Sequence, residues 1–109
     1  MLEGLFGSLN QERVLLYLFA KENGYGAEIA RFYETDVSPI QKQLEKLELG
    51  GVIVAKQIGR TILYQFNPRY AFLKELKALL KKAFNFLPDE EKDAYTHVRT
   101  RPRRKGKPL

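Results

Sequence analysis

SPIQKQLEKLELGGVIVAKQIGRTILYQFNP, residues 38–68, changes its periodicity halfway along, and that change decides the fold. In the first half Ile40, Leu44 and Leu47 recur at helical spacing and make one apolar stripe. Ser38 is a good N-cap, Pro39 follows at the first helical position where a missing N–H costs nothing, and Gly50-Gly51 stops the helix. In the second half Val52-Ile53-Val54-Ala55 and Thr61-Ile62-Leu63-Tyr64-Gln65-Phe66 are rich in β-branched and aromatic residues. Gly59 permits a hairpin turn or bulge between them, and Asn67-Pro68 closes the second strand. A helix this short is marginal alone, so its stripe must be buried against other helices.

Those helices lie upstream. Ser8, with Gln11 three residues on, can cap a helix, with Asn10 as a rival cap. Val14, Leu15, Leu18 and Phe19 carry it to about Lys21, and Asn23-Gly24 is expected to end it. A second helix fits Ala27 to Tyr33, a third short strand can form near its start, and Glu34-Thr35-Asp36 reads as the connection onward. Beyond the hairpin a helix is expected from about Tyr70 to Phe86, with Lys74, Lys77, Lys81 and Lys82 on its polar side. Its apolar side is broad: Phe72, Leu73, Leu76, Leu79, Leu80, Ala83, Phe84 and Leu87. That is more circumference than one small core is expected to cover, so these eight residues are read as a dimerisation surface, with Leu5 and Phe6 at its edge. The order of elements predicts a mainly α protein with a small β-hairpin: a winged helix-turn-helix over residues 8–87, ending in a C-terminal dimerisation helix. Residues 88–98 read as an acidic-to-mixed extension able to form a short helix, and residues 99–109 as a basic disordered tail.

Composition narrows the function. With 109 residues the chain holds one modest core, and without cysteine it has neither disulfides nor thiolate metal sites. The only histidine is His97; no glycine motif cradles a phosphate, so neither an enzyme nor a cofactor or metal is expected. MLEGLFGSLN does not read as a signal peptide, and the apolar run Val14–Ala20 is too short to span a bilayer. A cytoplasmic protein without membrane contact is the expectation. The net charge of +6 says less than it suggests, because residues 1–98 carry thirteen basic and thirteen acidic side chains. The excess lies in Arg99, Arg101, Arg103, Arg104, Lys105 and Lys107. A case for nucleic acid must therefore rest on where charges sit in the folded part.

At 100° per residue, Ser38, Lys42, Glu45, Lys46 and Leu49 point away from the core, with Pro39 and Gln41 on the flanks. Lys42 and Gln41 can donate to phosphates and base edges, and Ser38 to a phosphate near the helix N-terminus. Glu45 is dissonant: it repels phosphate unless it accepts from a cytosine amine or pairs with Lys42 or Lys46. Leu49 is expected to pack under the wing strands. Between Val37 and Arg69 the chain sets Lys42, Lys46, Lys56, Arg60 and Arg69 against Glu45 and Glu48 alone, and Arg60 stands beside Gly59 at the hairpin tip.

The stretch Ile40–Ile53, with Ile58-Gly59-Arg60, Tyr64 and Asn67-Pro68, resembles the ArsR-type winged-helix regulators. Leu5-Phe6-Gly7-Ser8 is similar to the N-terminus of small prokaryotic winged-helix proteins, and the likeness spans about residues 5–80. The resemblance implies recognition-helix contacts to DNA at Ser38, Pro39, Gln41, Lys42 and Gln43, a wing contact at Arg60, and dimerisation through the last long helix. The cysteine and histidine clusters of metal-sensing relatives are missing, which argues against metal-dependent derepression. With Lys46 and Lys56 added from charge placement, the sequence predicts a dimeric, sequence-specific regulator of double-stranded DNA. The alternative is a winged-helix adaptor that binds a protein partner.

Overall fold

The computed structural model describes residues 1–100, with helical backbone alone over 97–100. Elements run α1 (Glu3–Phe6), α2 (Leu9–Lys21), β1 (Asn23–Tyr25), α3 (Gly26–Phe32), α4 (Val37–Leu49), β2 (Ile53–Ile58), β3 (Thr61–Phe66), α5 (Leu73–Asn85) and α6 (Asp89–Thr100).

Helix α2 sits at the centre. Val14, Leu15, Leu16, Tyr17 and Leu18 are all buried, so this helix is wrapped on every side rather than along one stripe. Its start follows the expected cap: the Ser8 hydroxyl accepts from the Gln11 amide at 3.2 Å. Its end does not. Glu22, at φ 75°, takes the left-handed cap position, and Asn23-Gly24 goes on into β1 instead of stopping the helix. The reason is pairing: Asn23, Gly24 and Tyr25 lie opposite Gln65, Tyr64 and Leu63 of β3. Gly24 has to be small there, because a Cβ would stand 2.7 Å from the Tyr17 ring. β3 is thus the middle strand of a three-stranded antiparallel sheet of order β1-β3-β2.

Helix α4 begins earlier than its sequence suggests. Asp36 is the N-cap and Val37 the first helical residue, which makes Ser38 the second and Pro39 the third. Pro39 is tolerated there because the first four helical N–H groups lack intrahelical partners. The helix ends where expected, in a Schellman arrangement: Val52 N–H bonds to Leu47 O at 3.0 Å and Gly51 N–H to Glu48 O at 2.9 Å, with Gly51 left-handed at φ 79°. Ile40 and Leu44 are fully buried and Leu47 nearly so. β2 reaches Ile58, so Lys56 and Gln57 belong to a strand rather than a linker, and the hairpin closes over Gly59-Arg60 alone. Gly59 has φ 60° and Arg60 stays negative, the pattern of a tight II′ hairpin turn.

Helix α5 starts at Leu73, not Tyr70, with Phe72 as its N-cap. Two of the residues read as dimer contacts, Leu80 and Ala83, are 0% and 3% exposed and belong to the core of a single chain. Leu73, Leu76, Phe84 and Leu87 are partly buried against that core. The extension after Pro88 is the helix α6, and Tyr95 anchors it. Its ring lies 4.6 Å from Phe32 and 5.4 Å from Phe84, and its hydroxyl is 2.7 Å from that of Tyr33. Tyr33 donates to Arg13 O at 2.7 Å, so its own oxygen is left to accept the Tyr95 proton. α6 therefore joins the packed body. The tail expected to be disordered from residue 99 lies, beyond Thr100, outside the described residues. At the other end, the buried Glu12 carboxylate accepts from the Leu2 amide at 2.8 Å and holds α1 on α2, with Phe6 half-buried and Leu5 exposed.

Candidate nucleic-acid interface

Three elements present the basic residues singled out by the sequence. α3 and α4 are joined by a left-handed turn at Glu34 (φ 55°), in which Thr35 N–H bonds to Ala30 O at 3.0 Å. This turn fixes α4 across α3 while Ile40, Leu44 and Leu47 face inward. Ser38, Lys42, Glu45, Lys46 and Leu49 then form one exposed stripe down α4. Lys56 is exposed on β2 and Arg60 is exposed at the hairpin tip. Among the described residues none of Lys42, Lys46, Lys56 and Arg60 is engaged in an ion pair, so their charges remain available to a ligand.

The two glutamines expected to contact DNA are each half-buried and hydrogen-bonded within the chain. Gln41 is half-buried and its Nε2 donates to the Tyr64 hydroxyl at 2.9 Å, tying α4 to the middle of the sheet. Gln43 is half-buried against α2, where its Oε1 accepts from Gln11 Nε2 at 3.2 Å. Both lie about 90° off the outward stripe, and the polar groups packed beneath them hold them there. Pro39 is half-buried as well. The helix thus offers Ser38, Lys42 and Lys46 to a ligand, with Gln41 and Gln43 serving as braces.

Leu49 departs from its expected surroundings, and Glu45 makes neither of the two lysine pairs open to it. The Glu45 carboxylate accepts from Gln41 Nε2 at 3.4 Å and pairs with neither Lys42 nor Lys46. Leu49 is 91% exposed and packs under nothing. Helical spacing alone places both residues on the outer face, but it does not reveal the Gln41–Tyr64 bond, because a hydrogen bond across 23 residues leaves no local signal.

No protein-family model matches the chain, and no curated protein matches it. Solved structures do. The adhesin competence repressor AdcR of Streptococcus pyogenes aligns over 89% of this chain and 70% of its own, at 13% identity and a TM-score of 0.59. ZitR of Lactococcus lactis, a zinc-responsive MarR family member, aligns over 84% and 70% at 17% identity and a TM-score of 0.51. A ZitR variant in complex with DNA aligns over 85% and 70% at 18% identity and a TM-score of 0.50. The fold is a winged helix. At such identities the likeness concerns the fold alone. Within this winged helix α3 and α4 are the helix-turn-helix, β2 and β3 the wing, and α1, α5 and α6 the flanking helices. Among the described residues no three His, Cys, Asp or Glu side chains stand together as metal ligands. Nor, among them, is any helix long and apolar enough to cross a membrane.

Proposed function

We propose that this winged helix is a cytoplasmic transcriptional regulator that binds double-stranded DNA in a sequence-specific manner, acting as a dimeric repressor. The observation that carries the reading is the exposed stripe of α4, in which Lys42 and Lys46 stand unpaired among the described residues on the face that the fold turns outward, with Arg60 at the wing tip. α4 enters the major groove, Lys42, Lys46 and Ser38 contact phosphates and base edges, and Arg60 reaches a phosphate or the minor groove. Lys56 adds a phosphate contact from the wing. That ZitR has been solved with DNA, and that AdcR is named a repressor, support the same reading.

The dimer forms through the flank of α5 that a single chain leaves open. Phe86 is 73% exposed and Leu5 is 67% exposed, and Met1, Leu2, Leu79 and Phe86 line a shallow apolar hollow. Phe72, 64% exposed at the start of α5, remains part of this surface, whereas Leu80 is withdrawn from it by its burial; Ala83, 3% exposed, still lines the floor of the hollow beside Lys82. The ArsR-like placement rests on the stretch Ile40–Ile53 and on Ile58-Gly59-Arg60; the MarR family membership of ZitR offers a second placement with the same groove-facing helix.

One observation favours a protein-binding adaptor instead: Leu49, almost fully exposed on the same stripe, suits a protein surface better than a phosphate. Fluorescence anisotropy of a labelled random-sequence duplex separates the two. The regulator reading expects binding that Lys42→Ala and Arg60→Ala each weaken several-fold with unchanged circular dichroism. No binding by the full-length protein would favour the adaptor.

A further inference from the structure

We infer that Glu45 is the residue of α4 that reads a base, accepting a hydrogen bond from a cytosine amine, and that Gln41 is its positioning residue. The inference rests on the DNA-binding reading above and names what that surface recognises. A carboxylate among phosphate-facing lysines costs affinity for any duplex, so its presence on the groove-facing stripe calls for a compensating contact. In the major groove the cytosine N4 amine supplies that contact: it is a donor with no acceptor of its own base beside it. Adenine sets its N6 donor next to the N7 acceptor, which repels a carboxylate, and guanine and thymine present acceptors alone.

The structure holds this carboxylate in a defined place. Gln41 Nε2 has two protons: one goes to the Tyr64 hydroxyl at 2.9 Å, the other points to Glu45 Oε2 at 3.4 Å. Because a carboxylate can only accept, its position fixes which way round the amide lies, with Oε1 turned the other way. Oε1 then fills the space over Gly26, where a Cβ would come within 2.5 Å of it. Tyr64 is itself 2% exposed, so the chain of contacts runs from the core through Gln41 to an exposed acceptor. Glu45 lies one turn from Lys42 and next in sequence to Lys46, about 100° around the helix, which lets the lysines hold the backbone on either side while the carboxylate meets a base edge.

The test is selection of bound duplexes from a random library by the full-length protein, followed by sequencing. The wild type is expected to enrich cytosine at one fixed position, by about tenfold over the other bases. Glu45→Ala should erase that preference by tightening binding to duplexes that lack cytosine at that position, with no gain for those that carry it. Glu45→Gln should move the preference from cytosine to adenine, since an amide both donates and accepts. Tyr64→Phe and Gly26→Ala, which leave Glu45 in place but displace or release Gln41, should weaken the preference without altering the salt dependence of binding. A Glu45→Ala variant whose affinity rises evenly, with the order of preferred sequences unchanged, would show that Glu45 only repels phosphate and overturn the inference. A wild type that retains duplexes but enriches no cytosine position would overturn the inference, and one that retains no duplex at all would overturn the DNA reading itself.

Discussion

Tyr33 joins the helix-turn-helix to the rest of the chain through one oxygen, which donates to Arg13 O and accepts from Tyr95. Burial first, and then the neighbouring Tyr95, push its ionisation above the usual tyrosine value of 10.0. The unfolded chain loses this proton at about pH 10 while the folded chain keeps it, so the stability it contributes is complete below that pH and is lost as pH rises above it. Tyr33→Phe should therefore flatten the alkaline fall in melting temperature and, by leaving Arg13 O and Tyr95 without their partner, cost about 1–3 kcal/mol at neutral pH. An alkaline limb as steep as that of the wild type would contradict this. Leu44, with no exposed surface at all, makes a second residue-level test. Leu44→Ala should cost about 2–5 kcal/mol in urea unfolding, and a change below about 0.5 kcal/mol would place Leu44 outside the core.

At the level of elements, α6 depends on a single large side chain. Tyr95 is the one residue of α6 buried among those whose side chains are described, and its ring closes a cluster with Phe32, Tyr33 and Phe84. Tyr95→Ala should free the helix: hydrogen exchange is expected to show weaker protection over residues 89–100 while α2 and α4 keep theirs, and unchanged protection would mean other contacts hold α6. Elements with their own periodicity and caps are legible in the sequence, among them α2 from Ser8, the stripe of α4, its glycine stop and the two wing strands. What stays hidden is decided by distant partners. The short strand expected near the start of α3 is there as β1, but its register, Asn23-Gly24-Tyr25 opposite Gln65-Tyr64-Leu63, comes from β3 and leaves no local signal. Ser38-Pro39 reads as a cap and first turn because nothing local reveals that Asp36 already holds the extended backbone of the N-cap. Gln41 and Gln43 suit DNA by residue type, and only packing shows that Tyr64 and Gln11 engage them. Leu80 and Ala83 are indistinguishable by periodicity from the outer part of the α5 face, since which apolar flank the core covers depends on where α2 crosses it.

For the molecule as a whole, the proposed function needs two surfaces, an apolar flank for a second copy and a basic face for DNA. Phe86→Glu changes a 73% exposed side chain, so it should leave the fold intact and yield a monomer in sedimentation velocity at micromolar concentration. A folded dimer would move the interface elsewhere. Dimerisation matters because a two-fold pair sets two α4 helices against symmetric half-sites about one helical turn, or a multiple, apart. Yet the central claim is that Lys42 and Arg60 face phosphates or base edges, for the body of the protein is otherwise electrically balanced over residues 1–98. The most direct test is the slope of log affinity against log salt for one duplex, measured with the wild type and with the Lys42→Ala/Arg60→Ala double variant. Every lysine or arginine that no longer neutralises a phosphate takes about 0.9 off the slope, so the double variant should bind more weakly and with a slope shallower by roughly 2 per protein chain. A double variant with the affinity and slope of the wild type would contradict the assignment of α4 and the wing to DNA.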